Sequence, residues 1–479
     1  MTTYPAIVFP MNVRSGATTI VHSGATVSAP VMIYGCNDDD AGGVMDVQSG
    51  ASVSGSINFF GAGGEFDDAA GVAADYQFSG GGGVIRFSAS GSVANVGDTA
   101  GQWDAVYGSQ DSVNLTDSQA SVIGGGNAVA FVSGANNAVS LYGATSQWDT
   151  VTGSNGLAIV NSCFASFVGG GDTIEATAGS SLSLYNTNGA ADAVYATSSD
   201  LMLNSAEANL VGGGDAIFSS GASTLVISNS AGAWNGVFGS DDTITVDNAD
   251  VAVVGGNNAI NANAGSWISL FSTDGQADTV QASGANIIVN GAEAAISGGA
   301  DTIYAAAGSA LSLSQTAGAQ DVVWGSNASL TLTGAQASIL GAANSIAASN
   351  STFTLYQTGA GADQVSGAGN DIVLANADAS LQGSNNAVFF SGSSELNASG
   401  GANAFYFGAA IGDAAISGFA ASDTLHLSAA DWSSFSTLLS SGDVAESGTD
   451  TIIRLDATHA ITLTGVQASS LTATQFAFS

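Results

Sequence analysis

The chain has 479 residues, of which 65 are glycine and only 9% are charged, a composition that excludes an average globular enzyme and favours a repetitive fold. It has no lysine, and its three arginines oppose 39 acidic residues to give a formal net charge of -36. Such an acidic chain excludes nucleic acid and anionic lipid as partners, and we expect salt, divalent cations or low pH to favour its compaction and self-association.

Residues 1–100 carry short turn motifs and no targeting signal. The stretches VRSGAT from Val13, VHSGAT from Val21 and VQSGAS from Val47 predict β-turns. We interpret this region as a β-rich cap or assembly module that covers open strand edges. The first residues lack the basic segment and apolar core of a cleaved secretory signal. No stretch of about 20 apolar residues predicts a membrane-spanning helix.

Residues 101–412 form seven repeats of about 43 residues. The repeated phrase is typified by FVGGGDTIEA, which begins at Phe167, and its first glycine recurs in steps of 45, 43, 43, 43, 43 and 42 residues. These glycines are Gly124, Gly169, Gly212, Gly255, Gly298, Gly341 and Gly383, of which the first five begin a run of two or three glycines. A period of this length indicates a stacked repeat architecture.

Each repeat contains two phrases in which Asp or Asn (Asx) stands two residues before Val or Ile. Aligning both phrases gives fourteen Asx positions, spaced alternately by about 23 and 20 residues. They are Asp104, Asn127, Asp149, Asp172, Asp192, Asp215, Asn235, Asn258, Asp278, Asp301, Asp321, Asn344, Asp363 and Asn386. We expect these side chains to form a structural ladder along the stacked coils.

Period-two alternation follows each phrase, as in LSLY from Leu182 and LTL from Leu330, and predicts strands. A segment this short cannot bury its apolar face alone, whereas stacking buries it. The sequence therefore predicts an all-β fold, a parallel β-solenoid in the form of a right-handed β-helix, with two coils per repeat, fourteen in all, and β-rich caps at both ends. At a strand spacing of about 4.8 Å, these coils would extend over roughly 65 Å. Pro5, Pro10 and Pro30 all precede the repeats, as uninterrupted strand ladders require.

The Asx column has two interpretations. As a corner, glycine permits a positive φ, Asx bonds nearby backbone, and the following Val or Ile enters the core. As a calcium site, one Asx per coil supplies few of the six to eight oxygens that the ion takes. Nine of the fourteen positions are Asp, so we expect raised pKa values or bound cations to relieve repulsion between stacked carboxylates.

Dense groups of acidic residues are the candidate calcium ligands. Asp38, Asp39 and Asp40 are consecutive, and Asp241 is adjacent to Asp242. Several carboxylates in one loop can supply the oxygen ligands that calcium prefers. The alternative for each group is a solvated acidic loop.

Two segments resemble parts of secreted repeats-in-toxin proteins. SGAGNDIVL, from Ser366 to Leu374, is similar to their glycine- and aspartate-rich calcium nonapeptide, with Ser366 in place of the first glycine. Family members carry such nonapeptides in tandem, whereas this chain has one match. The resemblance implies Asp371 as a candidate calcium ligand.

Residues 413–479 resemble the C-terminal export domain of type I secreted proteins. The match rests on GF followed by DTLHL, on ITLTGV and on the final FAFS. The resemblance implies a β domain that carries an uncleaved export signal. It also implies passage through the type I secretion apparatus of a Gram-negative bacterium, and hence an extracellular or cell-surface location.

The repeats contain no recognisable catalytic constellation. Residues 101–412 lack Lys, Arg and His, which argues against a lyase that acts on acidic sugars. His22, His426 and His459 fit neither a zinc-protease motif nor a nucleophilic triad. A glycosidase needs only two carboxylates, but no pair is singled out.

Tryptophans and cysteines leave alternatives open. The tryptophans of the repeats are Trp103, Trp148, Trp234, Trp267 and Trp324. They would either pack at turns or form an exposed stripe that binds sugars or a neighbouring subunit. Cys36 and Cys163 fit no metal or redox spacing, and buried thiols are favoured over a disulfide.

These features predict a non-enzymatic, secreted structural protein that self-assembles into a filament, a surface layer or a biofilm matrix. Its expected partners are further copies of itself, with calcium as a candidate bridging ion and cell-surface or matrix polysaccharide as a candidate ligand. One alternative is a monomeric adhesin or glycan-binding rod. Another is a β-helix enzyme that degrades polysaccharide.

Overall fold

The computed structural model describes residues 6–7, 10–34, 43–48, 50–60, 63–69, 73–99, 101–143, 146–271, 275–316, 318–356 and 361–479. Strands make up 57% of the chain and helices 3%, and the strands stack in parallel coils. The fold is therefore all-β, a parallel β-solenoid of about 20 turns, which confirms the fold class predicted from the period-two alternation. The chain divides into two compact units, Met1–Ile244 and Thr245–Ser479.

The first unit opens with coils of three strands. Its early strands are β1 (Ala6–Ile7), β2 (Met11–Val13), β3 (Thr18–Val21), β4 (Thr26–Val27), β5 (Val31–Tyr34), β6 (Val44–Gln48), β7 (Ser52–Val53), β8 (Ser56–Phe60), β9 (Glu65–Ala69), β10 (Asp75–Ser79), β11 (Val84–Phe87) and β12 (Val93–Gly97). Among the first nine strands, each pairs in parallel with the strand three places later, as β2 does with β5 and β5 with β8. From β8 onward the step falls to two strands, as in the pairing of β8 with β10 and of β10 with β12.

Two-strand coils continue through the repeats of the first unit. Their strands are β13 (Asp104–Tyr107), β14 (Ser112–Thr116), β15 (Gln119–Ile123), β16 (Ala128–Ser133), β17 (Ala138–Tyr142), β18 (Asp149–Thr152), β19 (Leu157–Asn161), β20 (Phe164–Val168), β21 (Thr173–Ala176), β22 (Ser181–Tyr185), β23 (Asp192–Tyr195), β24 (Asp200–Asn204), β25 (Glu207–Val211), β26 (Ala216–Ser220), β27 (Thr224–Ser228), β28 (Asn235–Phe238) and β29 (Thr243–Asp247). Odd-numbered strands form one ladder and even-numbered strands the other.

The second unit has the same two-ladder construction. Its strands up to the last repeat are β30 (Asp250–Val254), β31 (Ala259–Ala262), β32 (Trp267–Phe271), β33 (Asp278–Ser283), β34 (Asn286–Asn290), β35 (Glu293–Gly299), β36 (Thr302–Ala305), β37 (Ala310–Ser314), β38 (Asp321–Gly325), β39 (Ser329–Thr333), β40 (Gln336–Leu340), β41 (Ser345–Ser349), β42 (Thr352–Tyr356), β43 (Asp363–Ala368), β44 (Asp371–Ala375), β45 (Ala379–Gln382) and β46 (Ala387–Ser399). The long strand β46 pairs with β44 through its first part and with β45 through its second.

Each 43-residue repeat contains five strands and makes two and a half turns. Strands β18 to β22 occupy the repeat that starts at Asp149, and β23 starts the next repeat at Asp192. Two strands complete one turn, because β18 pairs with β20 and β20 with β22. The seven repeats therefore make more than the expected fourteen coils, and the solenoid as a whole has about 20 turns. Three of the five corners carry small residues in place of Asx, namely Gly156, Cys163 and Ser180.

The core consists of inward side chains stacked from coil to coil. Ala158 and Val160 of β19 are fully buried. They lie in register with Val139 and Leu141 of β17. Burial of each valine or leucine side chain contributes about 1.5–3 kcal/mol. The alternation of inward apolar and outward residues is the physical reason that the strands form.

The glycine run of the repeated phrase is required by a close backbone approach. Gly169 has a φ of 135°, and a Cβ atom there would overlap the carbonyl oxygen of Gly153 in the preceding coil. Gly212 has the same relation to the carbonyl oxygen of Ala196, with a φ of 139°. Only glycine can occupy such a corner without displacing the adjacent coil.

The C-terminal segment adds antiparallel strands to the stack. Its strands are β47 (Ala404–Ser417), β48 (Thr424–Leu427), β49 (Val444–Ser447), β50 (Asp450–Arg454), β51 (Ala460–Thr464) and β52 (Phe476–Phe478). β51 pairs in parallel with β47 and antiparallel with β50, which also pairs antiparallel with β49. β48 pairs with β52.

Helices are few and short in the described part of the chain. α1 (Phe435–Ser441) is capped by Ser434, whose Oγ accepts a hydrogen bond from the Thr437 backbone N–H. Two short 3₁₀ turns cover Ala468–Ser470 and Ala473–Gln475. None of the described helices has the length and apolar character needed to cross a membrane.

Candidate functional site

All fourteen Asx side chains of the aligned column are buried, each at most 2% exposed. Oδ1 of Asp149 accepts a hydrogen bond of 2.7 Å from the backbone N–H of Asn127, one coil earlier. Oδ1 of Asp192 accepts one of 2.9 Å from the backbone N–H of Asp172. In these pairs the side chain of one coil thus holds the corner of the coil before it, so the Asx ladder runs from side chain to main chain.

The Asx residues divide between the two strand ladders. Asp172 precedes β21 and Asp192 begins β23, and these strands pair with each other. Asp215 and Asn235 belong in the same way to the paired strands β26 and β28. The two pairs lie on different ladders because a repeat makes two and a half turns. Equivalent residues of successive repeats therefore face opposite sides of the coil.

At these corners both polar atoms of an asparagine side chain can form hydrogen bonds. Oδ1 of Asn235 accepts from the backbone N–H of Asp215 at 3.0 Å, while its Nδ2 donates to the carbonyl oxygen of Gly212 at 3.1 Å. Asn344 makes the same pair of bonds within the second unit. The amide therefore joins two groups of the preceding coil at once. A buried backbone group left without such a partner would cost about 1–3 kcal/mol.

Aspartate accepts the same backbone hydrogen bond but has no amide group to donate the second one. The second carboxyl oxygen, Oδ2, is buried and receives no hydrogen bond from the described residues at Asp104, Asp149, Asp192, Asp215, Asp278 and Asp301. Burial, which removes water from the charged form, raises the pKa of Asp192 and of Asp321 to about 7, with a smaller contribution from neighbouring carboxylates. Burial also raises the pKa of Asp149 to about 6. Many ladder carboxyls are therefore partly protonated near neutral pH.

Further residues extend the ladders beyond the aligned column. The additional residues are Asp111, Asn137, Asp242, Asn370, Asn403 and Asp423, and all are buried. Oδ1 of Asn370 accepts from the backbone N–H of Ser351 at 3.0 Å, and Oδ1 of Asp423 accepts from that of Asn403 at 2.9 Å. Each stands two residues before a buried Val, Ile, Phe or Leu. The same Asx-x-apolar signal could have found them without the 43-residue alignment.

The candidate calcium ligands are not brought together among the described residues. Asp38, Asp39 and Asp40 lie outside the described ranges. Asp241 is exposed, whereas the adjacent Asp242 is buried and its Oδ1 accepts from the Ser219 Oγ at 2.6 Å and the Ser223 backbone N–H at 2.9 Å. Asp371 is exposed at the start of β44. No group of three or more His, Cys, Asp or Glu residues with metal-binding geometry occurs in the described part of the chain, and calcium binding stays a prediction.

A ring stack and an open cleft lie at the C-terminal end of the second unit. The rings of Phe389 and Tyr406 stack with centroids 4.6 Å apart, and those of Tyr406 and His426 with centroids 4.0 Å apart. These rings line a cleft of about 650 Å³ together with Trp432 and Asp431. A concave site of this volume, with aromatic walls and a few polar groups, is suited to a small ligand. Burial lowers the pKa of His426, which favours the neutral form of its imidazole.

The tryptophans occupy two kinds of environment. Trp148 is partly buried and stacks on Phe164 with centroids 5.4 Å apart, as expected for aromatic packing at a turn. Trp324 is 44% exposed on the outer side of β38. Cys36 lies outside the described residues, and Cys163 is fully buried at a corner.

Comparisons with known proteins identify no relative. No protein-family model matches the chain, and no curated protein matches its sequence.

Proposed function

We propose that the protein is a secreted, extracellular structural protein that self-assembles into a filament, a surface layer or a biofilm matrix. The continuity of the strand ladders is the observation that carries this proposal. In the second unit, parallel pairing runs through the even-numbered strands from β30 to β46 and then through β47 to β48. Such a scaffold displays outward side chains at a constant coil spacing of about 4.8 Å. Regular surfaces of this kind support repeated contacts with other copies.

The proposed route to the exterior is a type I secretion apparatus in a Gram-negative bacterium. The likeness of residues 413–479 to the export domain of type I secreted proteins supports this route. The formal net charge of -36 supports a role for cations in the assembly, because a polyanion associates more readily when its charge is screened or bridged. Calcium is the proposed bridging ion, and matrix polysaccharide is a further proposed partner.

Electron microscopy of the purified protein in millimolar calcium and in chelator tests the proposal. We expect ordered filaments or sheets in calcium that disperse when the ion is removed. A sodium chloride sample of equal ionic strength is the matched control, because it separates bridging by calcium from general screening. Single particles in every condition would contradict self-assembly. Release of sugars from polysaccharide by the purified protein would contradict a non-enzymatic role.

A glycan-binding adhesin is the second candidate, and the C-terminal cleft is the observation that favours it. The cleft combines the rings of Tyr406, His426 and Trp432 with the exposed carboxyl of Asp431. Aromatic rings beside hydrogen-bonding groups can hold a sugar through apolar contact and polar recognition. This candidate requires recognition by dispersed single molecules rather than by an assembly.

Binding of dispersed protein to a glycan array tests the adhesin. We expect Tyr406→Ala to lower the affinity at least about tenfold if the cleft is the binding site, because the variant removes the central ring of the stack. Thr331→Ala, on an exposed strand surface away from the cleft residues, is the matched control. Equal binding by both variants would contradict a glycan site in the cleft.

A further inference from the structure

The two ladders of the second unit present chemically different outer faces. On the odd-numbered strands β37, β39, β41 and β43, the outward residues are serine, threonine, glutamine and alanine, and we name this surface the hydroxyl face. A typical column of it runs in register through Ser312, Thr331, Ala347 and Ser366. Hydroxyl groups at an outer surface are readily hydrated, so this face can remain in water.

The even-numbered strands carry an apolar column instead. Tyr304 of β36 is in register with Trp324 of β38, Trp324 with Leu340 of β40, and Leu340 with Tyr356 of β42. The three rings are exposed by 39%, 44% and 41%. Four consecutive coils thus expose large apolar side chains along one line. Contiguous apolar surface of this kind marks interaction sites on soluble proteins.

A second apolar column lies beside the first and occupies the strands that follow β42. Val373 of β44 is in register with Phe389, Phe389 with Tyr406, and Tyr406 with His426. We name as the aromatic face the outward side chains of β36, β38, β40, β42, β44 and β48, together with 387–391 of β46 and 404–406 of β47. All these strands pair in parallel, so the outward side chains lie in columns at the coil spacing.

The aromatic face is almost free of charge. Asp371 is the one carboxylate among its outward side chains, all of which lie in the described part of the chain. It stands in the outermost column, in register with Thr352 and Ala387. The complete chain has 39 acidic residues and a formal net charge of -36. Two such polyanions can approach closely only through surfaces that carry little of this charge.

We propose that the aromatic face binds the aromatic face of a second copy of this chain, in a two-fold symmetric pair. This inference rests on the proposed self-assembly and identifies the surface through which it begins. A two-fold contact joins the same patch on both copies, so an uncharged patch meets an uncharged patch. Rows of rings on the two copies share one coil spacing, which allows them to interdigitate over several coils.

The area of the face fits a stable pair. Eight strands at about 4.8 Å and three outward columns about 7 Å apart cover an area of roughly 35 Å by 20 Å, or about 700 Å² per copy. Stable protein interfaces bury about 800 Å² per partner. Aromatic side chains often carry much of the binding energy of such an interface. Trp324 and Tyr356, which are exposed by 44% and 41%, are the expected anchors.

Sedimentation velocity of the full-length chain in chelator at physiological salt tests the proposal. Trp324→Asp places a charge among the exposed rings of the aromatic face, and Thr331→Asp places the same charge on the hydroxyl face. We expect the wild type and Thr331→Asp to form pairs, and Trp324→Asp to weaken pairing at least about 100-fold. Tyr356→Ser removes a ring without adding charge and should weaken pairing in the same direction. Circular dichroism of each variant establishes that it is folded.

The remaining outcomes separate this inference from the proposed function. If folded Trp324→Asp and Tyr356→Ser pair as tightly as the wild type, the aromatic face is not the interface, although filaments in calcium would still support self-assembly. If the wild type is a single molecule in sedimentation, this inference fails. Electron microscopy in calcium then decides whether self-assembly fails with it. Loss of polysaccharide binding in Trp324→Asp, with a wild type that does not pair, would identify a glycan as the occupant and overturn the inference.

Discussion

Two stretches of one Asx ladder, both in the second unit, form the same corner with different side chains. Over Asn370, Asn386 and Asn403 every side chain is an amide. Oδ1 of Asn386 accepts from the Asn370 backbone N–H at 3.1 Å, and its Nδ2 donates to the Asn403 Oδ1 at 3.2 Å. Over Asp301 and Asp321 both side chains are carboxyls, and Oδ1 of Asp321 accepts from the Asp301 backbone N–H at 3.0 Å. The corner thus requires the shape that Asp and Asn share. Whether a side chain there is charged depends on protonation of the carboxyl.

The acidic stretch therefore depends on pH, whereas the amide stretch does not. Burial raises the pKa of Asp321 to about 7 and raises the pKa of Asp301. An unfolded aspartate titrates near 3.9. The folded state consequently binds the proton more tightly, so the stabilising contribution is complete below about pH 4 and is lost as the pH rises through the folded pKa.

The pH dependence of wild-type stability gives the largest expected effect. We expect the midpoint of urea unfolding to fall steadily between about pH 4 and pH 8, because each ladder carboxyl with a raised pKa loses its stabilising contribution over this range and these losses accumulate along the ladder. The measurement uses 1 M salt, which screens repulsion between exposed carboxylates but acts little on buried ones. A midpoint that is independent of pH in high salt would contradict the buried, protonated ladder.

Removal of a side chain from the amide stretch gives the second-largest expected effect. Asn386→Ala deletes the acceptor for Asn370 and the donor to the Gly367 carbonyl oxygen. We expect a loss of about 3 kcal/mol at every pH, because buried backbone groups lose their partners. The exposed Asn290→Ala is the control and should change the free energy of unfolding by less than about 0.5 kcal/mol. A loss that appears only above pH 7 would place the amide stretch in the same class as the acidic one.

Conversion of the acidic stretch into the amide type should stabilise it. Asp321→Asn replaces a buried carboxyl by a side chain that Asn235 shows to be satisfied at the equivalent corner. We expect a gain of about 1–2 kcal/mol at pH 8 and little change at pH 4, since the native carboxyl is then protonated. Chemical denaturation at both pH values measures it. The exposed Asp371→Asn is the control, and an equal gain from that variant would mean that relief of surface repulsion is the cause.

The reverse substitution gives the smallest expected effect. Asn235→Asp exchanges a donor to the Gly212 carbonyl oxygen for a carboxyl. We expect a loss of about 1 kcal/mol at pH 8 that disappears below about pH 5, because a protonated Oδ2 can donate in place of the amide. Thermal unfolding at the two pH values measures it. A loss of equal size at both values would show that the geometry of the amide, rather than charge, controls the corner.

The corner chemistry was accessible from the sequence, but the number of coils was not. The period-two alternation and the recurring Asx-x-apolar phrase identified the strands and the ladder. The coil count came out too low because corners such as Gly156, Cys163 and Ser180 use small residues of unlike chemistry, which no alignment of Asx positions can find. A corner requires a small side chain, and several residue types meet that requirement.

The aromatic face could not be predicted from the sequence, because the corners between its strands differ in length. Tyr304 and Trp324 are 20 residues apart, whereas Leu340 follows Trp324 after 16 residues and Tyr356 follows after another 16. A fixed period cannot align such positions, although backbone pairing brings them into one line. The cleft was inaccessible for a related reason, since it joins Phe389 and Trp432 from segments that share no repeat.

Each 43-residue repeat makes two and a half turns, so the number of repeats determines on which side of the solenoid each outer face lies. Duplication of a single repeat inside a unit would add five strands, so every later coil would be rotated by half a turn and its two outer faces exchanged. The core would tolerate the change, because each coil contacts only its neighbours. Two added repeats would restore the original facing. A lineage that keeps one outer surface continuous should therefore gain and lose these repeats in pairs.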